Sequence, residues 1–182
     1  KSGDGTLELT EISSFTGGTT VNGGNLLLNL TASSIAAIRG TVTVNAGASL
    51  TVSGAAFGGF GTDPGTRIET LNVAGGSVVV VDQKMSSGSI FNLTGASISG
   101  GTIHWRDSTI QALASSTTST ISSDLMIRPD YGTPTLSIDV ADGAAATDLL
   151  FSGIIKQSSP SGNLFKSGAG NLEISADNTY TG

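Results

Sequence analysis

The chain has 182 residues, no cysteine and a formal net charge of −6, and only 12% of its residues are charged. That balance argues against nucleic acid as a partner, since phosphate affinity comes largely from Lys and Arg, and against electrostatic docking to an anionic membrane. Without cysteine there is neither a disulfide framework nor thiolate chemistry. No apolar run approaches membrane-helix length, so no membrane insertion by this segment is expected.

The sequence opens at Lys1 with no signal-peptide pattern, which reads as a piece cut from something longer. Gly, Ser, Thr, Asn and Ala stand where charged residues usually would, interleaved with too much Val, Ile and Leu for a disordered chain. That mixture suits a chain made almost wholly of strand and turn.

In chain order, one short pattern keeps returning: Gly, any residue, apolar, any residue, apolar. It occurs at Gly5-Leu7-Leu9, Gly24-Leu26-Leu28, Gly40-Val42-Val44, Gly76-Val78-Val80, Gly101-Ile103-Trp105 and Gly170-Leu172-Ile174, with Leu50-Val52 as a variant lacking the Gly. Alternation with period two puts each apolar pair on one face of a strand. The Gly ahead of it permits a sharp corner. Asn22-Gly23-Gly24, Ala74-Gly75-Gly76 and Ser99-Gly100-Gly101 read as such corners. Between them, Thr31 to Gly40 has a helix-like start and a Gly stop, and reads either as one or two helical turns or as an irregular turn.

A longer repeat links the two ends. Lys1-Ser2-Gly3-Asp4-Gly5-Thr6-Leu7-Glu8-Leu9 returns as Lys166-Ser167-Gly168-Ala169-Gly170-Asn171-Leu172-Glu173-Ile174, and Phe15-Thr16-Gly17 returns as Tyr180-Thr181-Gly182 at the same offset, without a gap. Eight of the seventeen aligned positions are identical. The chain thus divides into residues 1–165, one long β-solenoid repeat unit, and residues 166–182, the start of the next. A sandwich would need frequent reversing hairpins, and the corners carry no clear reversal signal. A solenoid also tolerates uneven triplet spacing. At roughly 20 residues per coil the unit would hold about eight coils, a rod on the order of 40 Å long.

The run Leu164-x-Lys166-x-Gly168-x-Gly170-x-Leu172-x-Ile174 followed by Asn178-Thr179-Tyr180-Thr181-Gly182, continued by the first copy's Phe15-Thr16-Gly17-Gly18-Thr19-Thr20-Val21-Asn22-Gly23-Gly24-Asn25-Leu26, resembles the autotransporter-associated β-strand repeat. The first copy departs at Ser13-Ser14-Phe15, where that family has Asn-Thr-Tyr. The motif is confined to the two ends of the chain. The resemblance implies an all-β, right-handed parallel β-helix (β-solenoid) in the passenger region of a type V secreted or other very large envelope protein. It places the segment at the cell surface or outside the cell of a Gram-negative-type bacterium, and it brings no catalytic residues.

Several residues invite chemistry, and each also has a plainer role. The single histidine, His104, alternates with Ile103 and Trp105 and reads as a surface residue; Asp107 and many serines stand near it in sequence, but no nucleophile-elbow pattern is present. Asp139, Asp142 and Asp148 could supply the carboxylates of a glycan-cleaving β-helix, yet they flank a turn, where Asp serves backbone hydrogen bonding. Gly58-Gly59-Phe60-Gly61-Thr62-Asp63 matches the first six positions of a calcium-binding nonapeptide, but Pro64-Gly65 follows where the apolar position should be. Asn29-Leu30-Thr31 and Asn92-Leu93-Thr94 form sequons and read as Asn ladders inside the coils. Trp105, Phe57, Phe60 and Tyr131 could make a sugar platform, and read as core or loop packing instead. No catalytic, metal-binding or cofactor-binding residue is therefore expected. The function expected is that of a structural segment, a stiff rod, fibre or coat. Its partners are neighbouring repeat units stacked end to end, with cell-surface or carbohydrate ligands as further candidates. An adhesin and a carbohydrate-active enzyme are the alternatives.

Overall fold

The computed structural model describes residues 1–31, 34–54, 59–85, 87–128, 135–158 and 162–182. Among them there is no helix; nineteen strands pair in parallel into sheets of eight, four and seven strands. One coil runs through Ser77–Val80, Gln83–Lys84 and Ile90–Thr94, and the next through Ser97–Gly100, Thr102–Trp105 and Thr109–Ala112. Each strand pairs with its counterpart one coil on, never with its neighbour in sequence. The molecule is a parallel β-helix, as the corner pattern predicts; for parallel crossovers the right-handed sense is the strong rule.

The Gly-x-apolar-x-apolar triplets do not all mark the same side of the coil. Gly24–Leu30 and Ser77–Val80 belong to the eight-stranded sheet, Gly40–Asn45 to the seven-stranded one and Thr102–Trp105 to the four-stranded one. That is one cause of the uneven spacing. The other is coil length. Leu7 finds its ladder partner at Leu26, whereas Ile121 finds its own only at Phe151, the longer coil carrying extra corner residues.

Inside, side chains stack in columns. Leu26, Leu50, Val78, Ile98, Ile121 and Phe151 follow one another up the eight-stranded sheet. Val42, Leu71, Phe91, Ile110 and Ile138 do so up the seven-stranded sheet. Of the twelve residues predicted to face inward, Leu26, Leu28, Val42, Val44, Val78, Val80, Ile103 and Trp105 are buried. Leu7 is 45% exposed, and Leu9, Leu172 and Ile174 are only partly buried. These four lie on the inner parity of the two end coils, where no further coil covers them.

Before the four-stranded sheet begins, the third side is made by loops. Ala36, Ala37, Ile38 and Phe60 are buried there, and successive loops are bonded through Ala36 N to Thr66 O (2.9 Å) and Thr62 N to Ser34 O (2.9 Å). The described part of Thr31 to Gly40 is therefore irregular, the second of the two expected forms. Phe60, Phe91 and Trp105 form an aromatic stack along the axis, with centroids 5.4 Å apart at each step. Trp105 donates its Nε1–H to Ser108 O at 3.0 Å, which satisfies its one polar atom.

The ladder also measures the repeat. Rung by rung, Leu7 leads through Leu26, Leu50, Val78, Ile98, Ile121 and Phe151 to Ile174 in seven steps. The span is seven coils, not the eight expected, because the coils run longer than the roughly 20 residues typical of short solenoid repeats. The counterpart of Leu7 in the repeated sequence is Leu172, so ladder register and sequence offset differ by two positions. A slip of two preserves which side chains face in, where a slip of one would invert them.

Replacing Trp105 by Ala should cost about 3–5 kcal/mol, the range for large buried aromatics. Leu7→Ala, at the open end, should change stability by about 0.5 kcal/mol or less. Equilibrium denaturation of the two variants beside the parent checks both values.

Candidate functional site

The interior is filled by side chains, so a site must lie on the outer face, at a corner or at an end. On the outer face of the four-stranded sheet, Lys84, His104, Met126 and Lys156 follow one another in register. His104 thus faces outward, as its alternation predicts. Its pKa is lowered, first by desolvation, then by Lys84 and Arg128 and more weakly by Lys156, with Asp82 opposing. Lys156 pairs with Asp124 at 3.0 Å. The Asp124 carboxyl is held below its usual range, chiefly by the backbone N–H of Ile154, which donates to it at 3.0 Å, and also by Lys156.

The three acidic candidates differ in their surroundings. Asp139 accepts from Ser167 Oγ at 2.9 Å one coil on. Asp142 is exposed at a corner. Asp148 is buried, and its two oxygens accept the backbone N–H groups of Gly143 (2.9 Å) and Asn171 (2.8 Å), so this carboxylate ties one corner to the next. Asp63 lies in a groove of about 660 Å³ with Thr62, Pro64, Arg67, Arg106 and Asp107. Arg67 is committed there, donating to Glu69 Oε2 at 2.9 Å and to Ser87 O. Among the described residues no group of His, Asp and Glu is placed to hold a metal ion.

Phe60 and Trp105 are core residues; Phe57 and Tyr131 lie outside the described residues. The sequon asparagines form ladders, but on the outer face and not inside. Asn92 Nδ2 donates to Asn72 Oδ1 (2.8 Å), and Asn29 Nδ2 to Glu8 Oε1 (2.8 Å). Both sequon asparagines stand at the outward positions between Leu28 and Leu30 and between Phe91 and Leu93.

The remaining features are the ends. At the amino-terminal end Leu7, Leu9, Phe15, Leu26 and Ile38 line a cavity of about 260 Å³. At the other end Phe165 is 59% exposed, and Leu164, Leu172, Ile174 and Tyr180 are partly buried. Both ends carry the same corner. Gly3 and Gly168 have φ of 80° and 77°, Lys1 Nζ donates to Gly3 O at 2.7 Å, and Lys166 Nζ donates to Gly168 O at 2.9 Å. Sequence reasoning misses these lysines as a pair, although their recurrence at identical places in the two copies is the signal that could have found them.

The sequence model of the passenger-associated-transport-repeat matches residues 1–28 and 164–182, the two ends that carry this corner. That bears out the resemblance read from the motif. No curated protein and no solved structure gives a significant match.

The lowered His104 pKa has a pH signature. A base that is harder to protonate when folded leaves stability intact above its ordinary pKa of about 6.5 and erodes it as pH falls below that value. Between pH 8 and 5 the parent should therefore lose stability relative to His104→Gln, measured by thermal unfolding. The contribution of Asp124, whose pKa is also depressed, should be lost only below pH of about 4.

Proposed function

We propose that the chain is a structural segment of a passenger-type protein exported to the surface of a Gram-negative cell, a stiff rod extended end to end by neighbouring repeat units. The observation that carries this reading is the matched repeat at both ends of one continuous stack of parallel strands. A parallel edge leaves a row of unpaired N–H and C=O groups that template the next strand. Of the three carboxylates considered for a glycan-cleaving enzyme, Asp139 is spent on a ladder and Asp148 on a corner, which favours a structural role over catalysis.

The reading is tested by joining the chain in frame to a second copy of residues 18–182, so that the period of the repeat is kept. The long dimension, from small-angle scattering or electron microscopy, should grow by about 34 Å, seven coils at the inter-strand spacing. Two units lying side by side, or an unfolded second unit, would sink the rod. Placed ahead of a translocating barrel, the segment should be cleaved by protease added to intact cells; protection there would remove the surface assignment.

A further inference from the structure

In the first copy the corner lysine is bound from two coils at once. Lys1 donates its main-chain N to Thr20 O at 2.7 Å, and Asn22 N donates to Lys1 O at 2.8 Å, so Lys1 opposes Val21 as a parallel ladder partner. Val21 is fully buried. The Lys1 ammonium then turns along the corner and donates to Ser2 O (3.3 Å) and Gly3 O (2.7 Å) of its own coil and to Gly23 O (2.8 Å) of the next. An ammonium has three donors, and here each meets a carbonyl.

The coil it joins must come close for this to happen. Gly24 has φ 63°, and a Cβ there would collide with the backbone oxygens of Gly3 and Gly5. The Gly-Gly corner thus lies directly on the Gly-x-Gly corner, with the lysine bridging them.

In the second copy the lower half of this arrangement is complete. Lys166 Nζ donates to Ser167 O (3.4 Å) and Gly168 O (2.9 Å), the counterparts of Ser2 and Gly3. Lys166 lies in register with the fully buried Ile138, which puts it on the inner parity, yet it is exposed at the end of the stack. The chain has already begun its approach. A Cβ on Gly182 would collide with Gly162 O, so the two backbones are in contact one coil apart. Counting forward on that register, the fourth residue beyond Gly182 falls over Lys166. The fourth residue beyond Gly17, which is Gly182's counterpart, is Val21, and Val21 stacks over Lys1.

We propose that Lys166 is a docking residue for the following repeat unit, its ammonium closing on the carbonyl two residues past the valine that covers it, as Lys1 closes on Gly23. The occupant is a polypeptide repeating residues 18–28 of this chain, joined after Gly182. The lysine acts as a checkpoint: a strand lacking the Gly-Gly corner could not bring a carbonyl within its reach. This rests on the rod reading above, and its failure is separable from the failure of that reading.

The test uses the full chain extended after Gly182 by a copy of residues 18–45, with and without Lys166→Met, beside the unextended chain with the same substitution. Two things are measured: amide hydrogen exchange, and the NMR signal of the lysine ammonium groups, visible only where their protons exchange slowly. If the inference holds, the added segment gains protected amides and Lys166 gives a slow-exchanging ammonium signal in the extended chain and not in the unextended one. Lys166→Met then speeds exchange in the added strand by about tenfold or more, the loss expected for a charged hydrogen bond, and leaves residues 135–158 unchanged in both chains. A protected added segment with a fast-exchanging Lys166 ammonium, or one indifferent to Lys166→Met, would overturn the docking role and leave the rod standing. An added segment with no protected amides would overturn the rod itself.

Discussion

The structure depends on a single constraint: every strand takes its hydrogen-bond partners from a neighbouring coil and never from its own. In a hairpin fold a strand pairs with its neighbour in sequence and a sheet can close locally. Here the partner lies a whole coil away, Leu26 for Leu7 and Phe151 for Ile121, and no coil satisfies its own backbone. Stability is therefore nearest-neighbour in character, and it ends abruptly at an edge. The same residue types that are buried in mid-stack, such as the leucines of the Gly-x-apolar-x-apolar strands, are exposed at Leu7, in the first coil described.

That constraint governs the corners. At several corners between sheets the backbone passes within van der Waals distance of the coil beside it, and a side chain there has nowhere to go, whereas a Cβ on Gly40 or Gly47 would meet open space. Gly24 lies against Gly3 and Gly5, and Gly100, with φ 110°, against Val80. At other corners a polar side chain takes over the bonding: Asp148 gathers two backbone N–H groups from two coils, and Asp82 Oδ1 accepts Thr102 N at 2.8 Å. The Lys1 corner is the cationic version, collecting carbonyls where the aspartates collect N–H groups.

Much of this is legible in the sequence. Alternation with period two identifies the inner residues, because a buried column needs an apolar side chain at every second position. The repeat at the ends carries the resemblance that the matching repeat model bears out. Three things are not legible. Triplets look alike on every side of the coil, so the pattern cannot say that Gly40–Asn45 and Gly24–Leu30 belong to different sheets. The two-position slip between repeat and ladder accumulates over seven steps of unequal coils, none of which carries a local signal. The expectation of asparagines inside the coils supposes that an amide ladder needs shelter; at the outer positions Asn29 and Asn72 each donate to one neighbour and accept from another, while Asn92 donates to Asn72 and keeps its Oδ1 buried without a hydrogen-bond partner.

The composition follows from the same geometry. On the outer face, identical positions in successive coils stand at the strand spacing, about 4.8 Å apart, and like charges held directly opposite one another are destabilising. A column of Lys or of Glu up the rod would repel itself at every step. Neutral side chains that both donate and accept have no such cost, and they are what the columns contain: Asn45 Nδ2 donates to Asn22 Oδ1 at 2.6 Å, and Ser49 and Thr51 both donate to Asn25 Oδ1, at 2.9 and 3.0 Å. In the column of Lys84 the two lysines are kept apart. Between Lys84 and Lys156 stand His104 and Met126, and Lys156 leans onto Asp124. The depressed pKa of His104 reflects burial first and the repulsion of Lys84 and Arg128 second. The 12% of charged residues is thus what a stacked ladder tolerates, and the excess of Gly, Ser, Thr and Asn is what its corners and columns require.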